Sequence, residues 1–143
     1  MTKTLRVGVA GLGFVGAATV KLLQNQAPLL RLRCTRDILV TAVSARDKSK
    51  DRGISMDGIK WHDNPLGISN DENVDLLVET IGGSDGVAKE VVEKAIANGK
   101  HVVTANKALI AKSGIILAED AEQSGVALAF EAAVAGGIPI LKV

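Results

Sequence analysis

Short apolar segments alternate with segments whose apolar residues recur at helical spacing. The short segments contain many Val, Ile and Leu residues and stop at glycine or polar residues, which is typical of strands. Five of them predict strands: Leu5 to Ala10, Ile38 to Ser44, Val74 to Ile81, His101 to Thr104 and Val126 to Glu131. Such a regular alternation favours a fold in which each strand is followed by a helix.

Helical periodicity predicts three helices in the intervening segments. These are Phe14 to about Gln26, a segment from Ser84 or Asp85 to about Asn98, and Lys107 to Ser124. Ser84 or Asp85 is expected to cap the second helix, and Gly99 to end it in the left-handed conformation. The third helix is expected to be interrupted near Gly114.

Three other segments are less regular. Pro28 to Asp37 either continues the first helix after a kink at the proline or forms a basic loop. Ala45 to Asn73 is polar and contains several glycines, so we expect loops there, with room for a short strand around Ile59 to Trp61. Trp61 is expected to be a partly buried packing residue. Ala132 to Pro139 is expected to be a loop of small residues.

The order of the predicted elements indicates an α/β fold with a doubly wound, mostly parallel sheet of the Rossmann type. A length of 143 residues suggests one domain. Aromatic residues make up only 2% of the chain, so the core must be built from aliphatic side chains. Aliphatic cores are typical of parallel sheets covered by helices on both faces.

Charge and composition exclude several classes of function. The net charge is +1 and the basic residues form no long run, so neither nucleic acid nor a membrane surface is an expected partner. No signal peptide or apolar segment of about 18 residues is seen, and a cytoplasmic protein is therefore expected. Cys34 is the only cysteine, which excludes an internal disulfide and suits a reducing compartment. We expect this thiol to be buried or incidental.

A glycine-rich run between the first strand and the first helix is the first candidate site. Gly11, Gly13 and Gly16 have the spacing that permits a tight turn, lets phosphates approach the backbone, and lets helix and strand pack closely. Phe14 and Val15 complete this loop and are included in the predicted cofactor site. The spacing alone also fits a turn without a ligand, but its position before a helix N-terminus favours a dinucleotide.

The end of the second strand bears on which dinucleotide is bound. Ala45 stands where an acidic residue would favour NAD, and the basic residues Arg46, Lys48 and Lys50 follow it. Arginine suits a 2′-phosphate, so NADP is favoured, with NAD as the alternative. Asp47 weakens this argument, as does the distance of 30 residues from the last loop glycine to Arg46, against about 20 usually. The basic residues could also form a solvated loop.

Three downstream segments are expected at the carboxyl edge of the sheet, where ligands bind in this fold. Glu79 to Gly83 contains glycines that would let a nicotinamide ring lie close to the backbone. Thr104 to Lys107 ends in a lysine that could supply a proton or stabilise an oxyanion, or could be a surface residue at a helix start. Glu131 to Pro139 could direct carbonyl groups at a cation, or could be a hinge between domains.

Four motifs carry a resemblance to homoserine dehydrogenases. They are VAGLGFVG (Val9 to Gly16), VETIGG (Val78 to Gly83), GKHVVTANKALIA (Gly99 to Ala111) and FEAAVAGGIPILK (Phe130 to Lys142). The resemblance covers nearly the whole chain. It implies the NAD(P)H-dependent interconversion of L-aspartate 4-semialdehyde and L-homoserine, in threonine, methionine and isoleucine biosynthesis.

The resemblance also implies roles for individual residues. Lys107 matches a family lysine that lies close to both the nicotinamide and the substrate. Thr80, together with Ile81 and Gly82, matches the nicotinamide-side contact. The family's loop for a monovalent cation, such as sodium, matches four residues that bind largely through main-chain oxygens: Glu131, Val134, Gly136 and Ile138.

The chain departs from the family in its extent. Family members continue into a substrate-binding domain that supplies the subunit interface and further catalytic residues, so the intact enzyme is expected to be a homo-oligomer. We expect residues 1–132 to form the dinucleotide-binding domain and residues 133–143 to begin the connection to that second domain. The chain by itself is expected to bind nucleotide without turnover. The alternatives are a binding module without catalysis and a dehydrogenase for another amino acid such as aspartate.

Overall fold

A computed structural model describes residues 3–138 and contains a parallel six-stranded sheet with the strand order β3-β2-β1-β4-β5-β6. The strands are β1 (Leu5–Ala10), β2 (Ile38–Ser44), β3 (Lys60–Trp61), β4 (Leu76–Glu79), β5 (His101–Thr104) and β6 (Leu128–Ala129). The chain first runs outward from β1 to β3, then returns to place β4 on the other side of β1. This confirms the predicted doubly wound sheet, which is entirely rather than mostly parallel.

Five helices connect the strands: α1 (Phe14–Asn25), α2 (Ala27–Cys34), α3 (Leu66–Asn70), α4 (Val87–Ala97) and α5 (Lys107–Gln123). The prediction that the helix continues after a kink is confirmed as far as Cys34, although the break lies at Gln26 and not at Pro28. Pro28 lies in the first turn of α2, where its missing N–H is not needed. Cys34 ends α2 and is exposed. Within residues 3–138, no helix combines the length and apolarity that a membrane crossing requires.

The core consists of one apolar layer on each face of the sheet. Side chains alternate along β1, so Val7 and Val9 pack on one face with Val20 of α1. The other face is covered by α3, α4 and α5. There, a Cβ on Gly8 would overlap the side chain of Ile68, so this glycine is what lets α3 approach the sheet closely.

Helix α3 is a correction to the predicted loops of residues 45–73. The side chain of Asn64 accepts a hydrogen bond from the N–H of Leu66 at 3.0 Å and so starts this short helix. Ile68 and Ser69 are fully buried, and the Ser69 hydroxyl donates to the Val91 carbonyl of α4 at 2.7 Å. Packing against α4 therefore stabilises a helix that is too short to show periodicity.

The predicted details of α4 and α5 are partly wrong. Gly86, and not Ser84 or Asp85, precedes the first residue of α4, and no side chain caps that helix. The Asp85 carboxylate is instead paired with Lys112 at 2.6 Å. Helix α5 runs without interruption through Gly114, because no conformation outside the helical range occurs there. The left-handed stop at Gly99 is confirmed, with φ of +70°.

Two strands are shorter than predicted. β4 ends at Glu79, because the Glu79 side chain accepts the N–H groups of Ile81 and Gly82 and turns the backbone away from the sheet. β6 includes only Leu128–Ala129, and one of two short 3-10 turns begins at Glu131. The predicted short strand before His62 is confirmed as β3, in which Trp61 is half-buried.

A bidentate ion pair joins β1 to the chain just before β4, at the amino edge of the sheet. Arg6 donates from Nε and Nη2 to the two carboxylate oxygens of Asp75, at 2.9 and 2.6 Å. The hydrogen bond from the Arg6 guanidinium lowers the pKa of Asp75 to about 2. The native state therefore binds a proton at this group more weakly than the unfolded chain does.

This pair predicts a pH dependence of stability. The contribution of Asp75 to the free energy of unfolding is present above the unfolded pKa of about 3.9 and is lost as pH falls through about 2. Asp75→Asn should therefore flatten the dependence of the free energy of unfolding on pH between about 4 and 2. Chemical denaturation of both proteins at several pH values measures it.

In Asp75→Asn, the free energy of unfolding should still depend on pH to some extent, because the pKa of Asp71 is also lowered. Burial raises the pKa of Asp71, but hydrogen bonds from Asn73, Lys60 and His62 outweigh burial and hold the pKa at about 2. If the free energy of unfolding depended on pH equally in wild type and Asp75→Asn, the ion pair of Arg6 and Asp75 would not be the source of the dependence.

Candidate functional site

The carboxyl ends of the strands bring the predicted site segments to one edge of the sheet. The glycine loop follows β1, Ile81 to Gly83 follow β4, and Lys107 begins α5 after β5. Arg46 and Lys48 follow β2, and residues 131–138 follow β6. β1 and β4 are neighbours although α1, β2 and β3 lie between them in sequence. The strand order reverses between them, which is where doubly wound sheets form their ligand crevice.

Two of the loop glycines are required by the protein's own packing. Gly11 has φ of +98°, and a Cβ there would lie 2.8 Å from the carbonyl of Thr80. A Cβ on Gly16 would overlap the Gly11 carbonyl oxygen and lie 2.7 Å from the Thr80 hydroxyl. Any side chain at either position would separate β1 and α1 from the end of β4.

Gly13, unlike Gly11 and Gly16, is not required by packing within the protein, and its Cβ position faces open space. A Cβ on Gly13 would have no described atom within 4 Å, and the residue is exposed. Gly13 is also the N-cap of α1, where no side chain caps the helix and the first turn contains no acidic residue. The bare N–H groups and the positive end of the helix dipole fit a pyrophosphate. Phe14 and Val15 flank this position and are exposed, at 94% and 55%.

The loop after β2 is held against the glycine loop by Arg52, a residue without a predicted role. Its Nε donates to the Leu12 carbonyl at 2.9 Å, and its Nη2 donates to the Asp47 carbonyl at 2.7 Å. Its guanidinium also lies 5.8 Å from the centre of the Trp61 ring, and the Lys48 ammonium lies 5.9 Å from it. These contacts order a segment that could otherwise be a solvated loop.

Arg46 and Asp47 occupy this ordered loop with different surroundings. Arg46 is exposed. One oxygen of the Asp47 carboxylate accepts from the hydroxyl and the N–H of Ser49, at 2.7 and 2.9 Å. Those hydrogen bonds lower the pKa of Asp47. The acidic group that counted against a 2′-phosphate is therefore engaged with Ser49 within its own turn.

Thr80 links the two halves of the crevice. Its hydroxyl lies 2.6 Å from the Gly11 carbonyl oxygen and 3.2 Å from that of Ala10. The Thr80 N–H also donates to Ala10. The hydroxyl thus stabilises the glycine loop from the β4 side.

A buried carboxylate lies beneath the loop after β4. Glu79 is fully buried, and its Oε1 accepts from the N–H groups of Ile81 at 2.7 Å and Gly82 at 3.1 Å. Its Oε2 accepts from the hydroxyl of Thr104 on β5 at 2.6 Å. Glu79 lies in a predicted site segment but has no predicted role of its own. An acidic residue at the end of an otherwise apolar strand is the signal that could have identified it.

Asn106 connects this carboxylate to the predicted lysine. Its N–H donates to the Thr104 hydroxyl oxygen at 3.0 Å, and its side-chain amide donates to the Gly83 carbonyl at 2.7 Å. Its side-chain oxygen caps α5 by accepting from Leu109 at 3.1 Å. Lys107 follows as the first residue of α5 and is exposed. Its backbone position is therefore fixed while its side chain extends into solvent.

The segment predicted to bind a cation forms two 3-10 turns, Glu131–Ala133 and Ala135–Gly137. Gly136, inside the second turn, has φ of +65°, a left-handed conformation that glycine adopts without strain. The carbonyl groups of Glu131 and Val134 each accept one hydrogen bond within this segment. Ile138 is the last described residue, so Pro139 and the rest of the predicted connection lie outside the described range. No group of three His, Cys, Asp or Glu residues between 3 and 138 is placed to bind a metal ion.

Comparison with known proteins identifies the family to which this chain is similar. The family profile described as the NAD-binding domain of homoserine dehydrogenase matches residues 11–131. Homoserine dehydrogenase of Pseudomonas aeruginosa is 44% identical over 142 residues, and that of Neisseria gonorrhoeae is 42% identical over 140. Each alignment covers 98% of this chain and 32% of the relative, so the chain spans about a third of their length.

Solved structures show the same relationship. A homoserine dehydrogenase from Thiobacillus denitrificans is 44% identical and superposes with a TM-score of 0.87 over 98% of this chain and 32% of that one. A homoserine dehydrogenase from S. aureus at pH 7.5 is 36% identical, with a TM-score of 0.83 over 92% of this chain and 34% of that one. The match to an NAD-binding domain supports a nicotinamide dinucleotide as cofactor. This chain therefore belongs to the homoserine dehydrogenase family and corresponds to its NAD-binding domain.

Proposed function

We propose that this chain binds NADP in preference to NAD and forms the cofactor-binding part of a homoserine dehydrogenase. The observation that carries the proposal is the open space at Gly13, directly in front of the uncapped N-terminus of α1. Gly11 and Gly16 are explained by packing within the protein, whereas no described atom lies within 4 Å of the Cβ position of Gly13, and the space there would admit a ligand. The pyrophosphate would bind there, on the N–H groups beside Phe14 and Val15.

The preference for NADP is supported by the loop after β2. Ala45 offers no carboxylate to a ribose 2′-hydroxyl, and the exposed Arg46 and Lys48 offer positive charge to a 2′-phosphate. Arg52 holds their loop beside the glycine loop through the Leu12 carbonyl. A loop that is already ordered loses less conformational entropy when it binds a ligand.

The proposed reaction is the interconversion of L-aspartate 4-semialdehyde and L-homoserine, which serves threonine, methionine and isoleucine biosynthesis. The bound nicotinamide would supply or accept the hydride. Thr80, Ile81 and Gly82 would hold its side of the cofactor, and the Lys107 ammonium would stabilise negative charge that develops on the substrate oxygen. The exposed lysine at a capped helix start suits this role, because its backbone is fixed and its ammonium can reach out of the protein surface.

The remaining features of the proposal concern the longer protein. The main-chain oxygens around the two 3-10 turns would bind a monovalent cation such as sodium, at Glu131, Val134, Gly136 and Ile138. Residues 133–143 would begin the connection to a substrate-binding domain. We also propose a cytoplasmic homo-oligomer that acts on a small-molecule substrate.

Gly13→Ala tests the proposed phosphate site without disturbing the fold. The backbone of Gly13 has φ of −72°, which alanine adopts freely, and the added methyl meets no protein atom within 4 Å. The free energy of unfolding should change by no more than about 1 kcal/mol. Affinity for NADPH, measured by calorimetry, should fall about tenfold or more, because the methyl occupies the pyrophosphate position.

Gly114→Ala is the matched control, since this glycine lies within α5 and only the Ile110 side chain is near its Cβ position. It should leave NADPH affinity unchanged. Unaltered affinity in Gly13→Ala would show that no phosphate approaches this residue.

Arg46→Ala tests the preference for NADP. Removal of a charge-assisted contact with a 2′-phosphate should weaken NADPH binding by about ten- to hundredfold and leave NADH binding nearly unchanged. Arg33→Ala removes another exposed arginine, from α2, and serves as the control. Equal losses for NADPH and NADH in Arg46→Ala would contradict recognition of the 2′-phosphate by this residue.

The 143-residue chain by itself is expected to bind NADPH without turnover, because it spans only about a third of the dehydrogenases that it resembles. Purified chain is incubated with NADP and L-homoserine, and with NADP and L-aspartate, while absorbance of the reduced cofactor is followed. Oxidation of homoserine would overturn the expectation of a binding-only chain. Oxidation of aspartate alone would contradict the proposed substrate.

A further inference from the structure

We propose that Glu79 is a positioning residue for the nicotinamide end of the site, an inference that rests on the proposed dinucleotide binding. Its carboxylate ties the loop after β4, which would contact the nicotinamide, to the segment after β5 that carries Lys107. The side chain is fully buried, so it acts through the backbone groups around it and does not touch the cofactor.

The two carboxylate oxygens hold different segments. Oε1 accepts from the N–H groups of Ile81 and Gly82, at 2.7 and 3.1 Å. Oε2 accepts from the Thr104 hydroxyl at 2.6 Å, and the same hydroxyl oxygen accepts from the N–H of Asn106 at 3.0 Å. One side chain thus connects the ends of two neighbouring strands.

Asn106 closes these contacts into a ring. Its side-chain amide returns to the Gly83 carbonyl at 2.7 Å, one residue beyond the N–H groups that Glu79 holds. The ring consists of Glu79, Thr104, Asn106 and the backbone from Ile81 to Gly83. Lys107 follows Asn106 directly, so the ring fixes the lysine's backbone relative to the β4 loop.

The β4 loop needs such external ties. Gly82 and Gly83 have φ of +87° and +89°, and neither has a neighbouring atom within 4 Å of its Cβ position. Glycines in open space have the greatest backbone freedom, so hydrogen bonds from buried side chains are what can hold them in one conformation. A buried carboxylate costs free energy unless its partners are complete, and here its partners belong to the two segments that flank the proposed nicotinamide position.

Glu79→Gln weakens the ring while keeping the size of the side chain. If the amide oxygen accepts from Ile81 and Gly82, the amide nitrogen can only donate to the Thr104 hydroxyl oxygen, so the buried hydroxyl proton loses its acceptor. If the amide is flipped, its nitrogen faces two N–H donors. Either orientation leaves at least one buried donor without an acceptor where the two segments meet.

Thr104→Val breaks the same ring at a different place and guards against failure of the first variant to fold. It removes the hydroxyl that joins Oε2 to Asn106 and keeps a β-branched side chain on β5. Thr104→Ser restores the hydroxyl and should restore binding. Glu119→Gln makes the same chemical change on the exposed surface of α5 and is the matched control.

The readout is a pair of affinities measured by calorimetry on the 143-residue chain: one for NADPH and one for 2′,5′-ADP, which lacks the nicotinamide half. Glu79→Gln and Thr104→Val should each weaken NADPH binding about tenfold and leave 2′,5′-ADP binding unchanged. The loss of NADPH affinity in the double variant should be smaller than the product of the two single losses, because both changes act on one ring. General destabilisation of the fold would instead weaken both ligands.

The outcomes separate this inference from the proposed function. Wild-type chain that binds neither ligand would overturn the proposed function. Wild-type chain that binds both, with NADPH affinity unchanged in Glu79→Gln or in Thr104→Val, would overturn the positioning role alone. If the variants lost affinity for both ligands in parallel, the ring would serve the general stability of the fold, and the positioning role of Glu79 would also be overturned.

Discussion

The close approach of the glycine loop to the end of β4 is the constraint on which the whole site depends. A Cβ on Gly11 or Gly16 would collide with Thr80 or with the loop itself, and the Thr80 hydroxyl lies 2.6 Å from the Gly11 carbonyl oxygen. Because β1 and β4 are neighbours at the point where strand order reverses, this contact fixes the glycine loop relative to the loop after β4. One packing requirement therefore sets the spacing between the proposed positions of the pyrophosphate and the nicotinamide.

Several polar side chains at this edge form hydrogen bonds with the backbone of the site loops instead of facing a ligand. Arg52 donates to the Leu12 carbonyl, Thr80 to Gly11, and Glu79 accepts from the loop after β4. Each of them satisfies backbone groups that strand pairing leaves free at the strand ends. The groups left exposed include the Gly13 backbone and the side chains of Arg46, Lys48 and Lys107, which have the chemistry to bind phosphates and a substrate oxygen.

The sequence predicted those parts of the fold that local pattern determines. β1, β2 and β5 have the predicted bounds, since each is a short aliphatic run with clear polar or glycine ends. Helix α3 depends on packing against α4 and is too short to show a period. The roles of Glu79 and Arg52 depend on partners brought together by the fold, such as Thr104, which is 25 residues from Glu79. A contact between a side chain and distant backbone leaves no periodic signal in the sequence.

Amide resonances followed during titration with NADPH would locate the dinucleotide site, because they report where along the sheet the ligand binds. Gly13 and Gly82 should shift with NADPH, and only Gly13 of the two should shift with 2′,5′-ADP. Lys100, at the amino edge before β5, should shift with neither. Shifts concentrated around Lys100, or an unmoved Gly13 during saturable binding, would contradict a dinucleotide site at the carboxyl edge of the sheet.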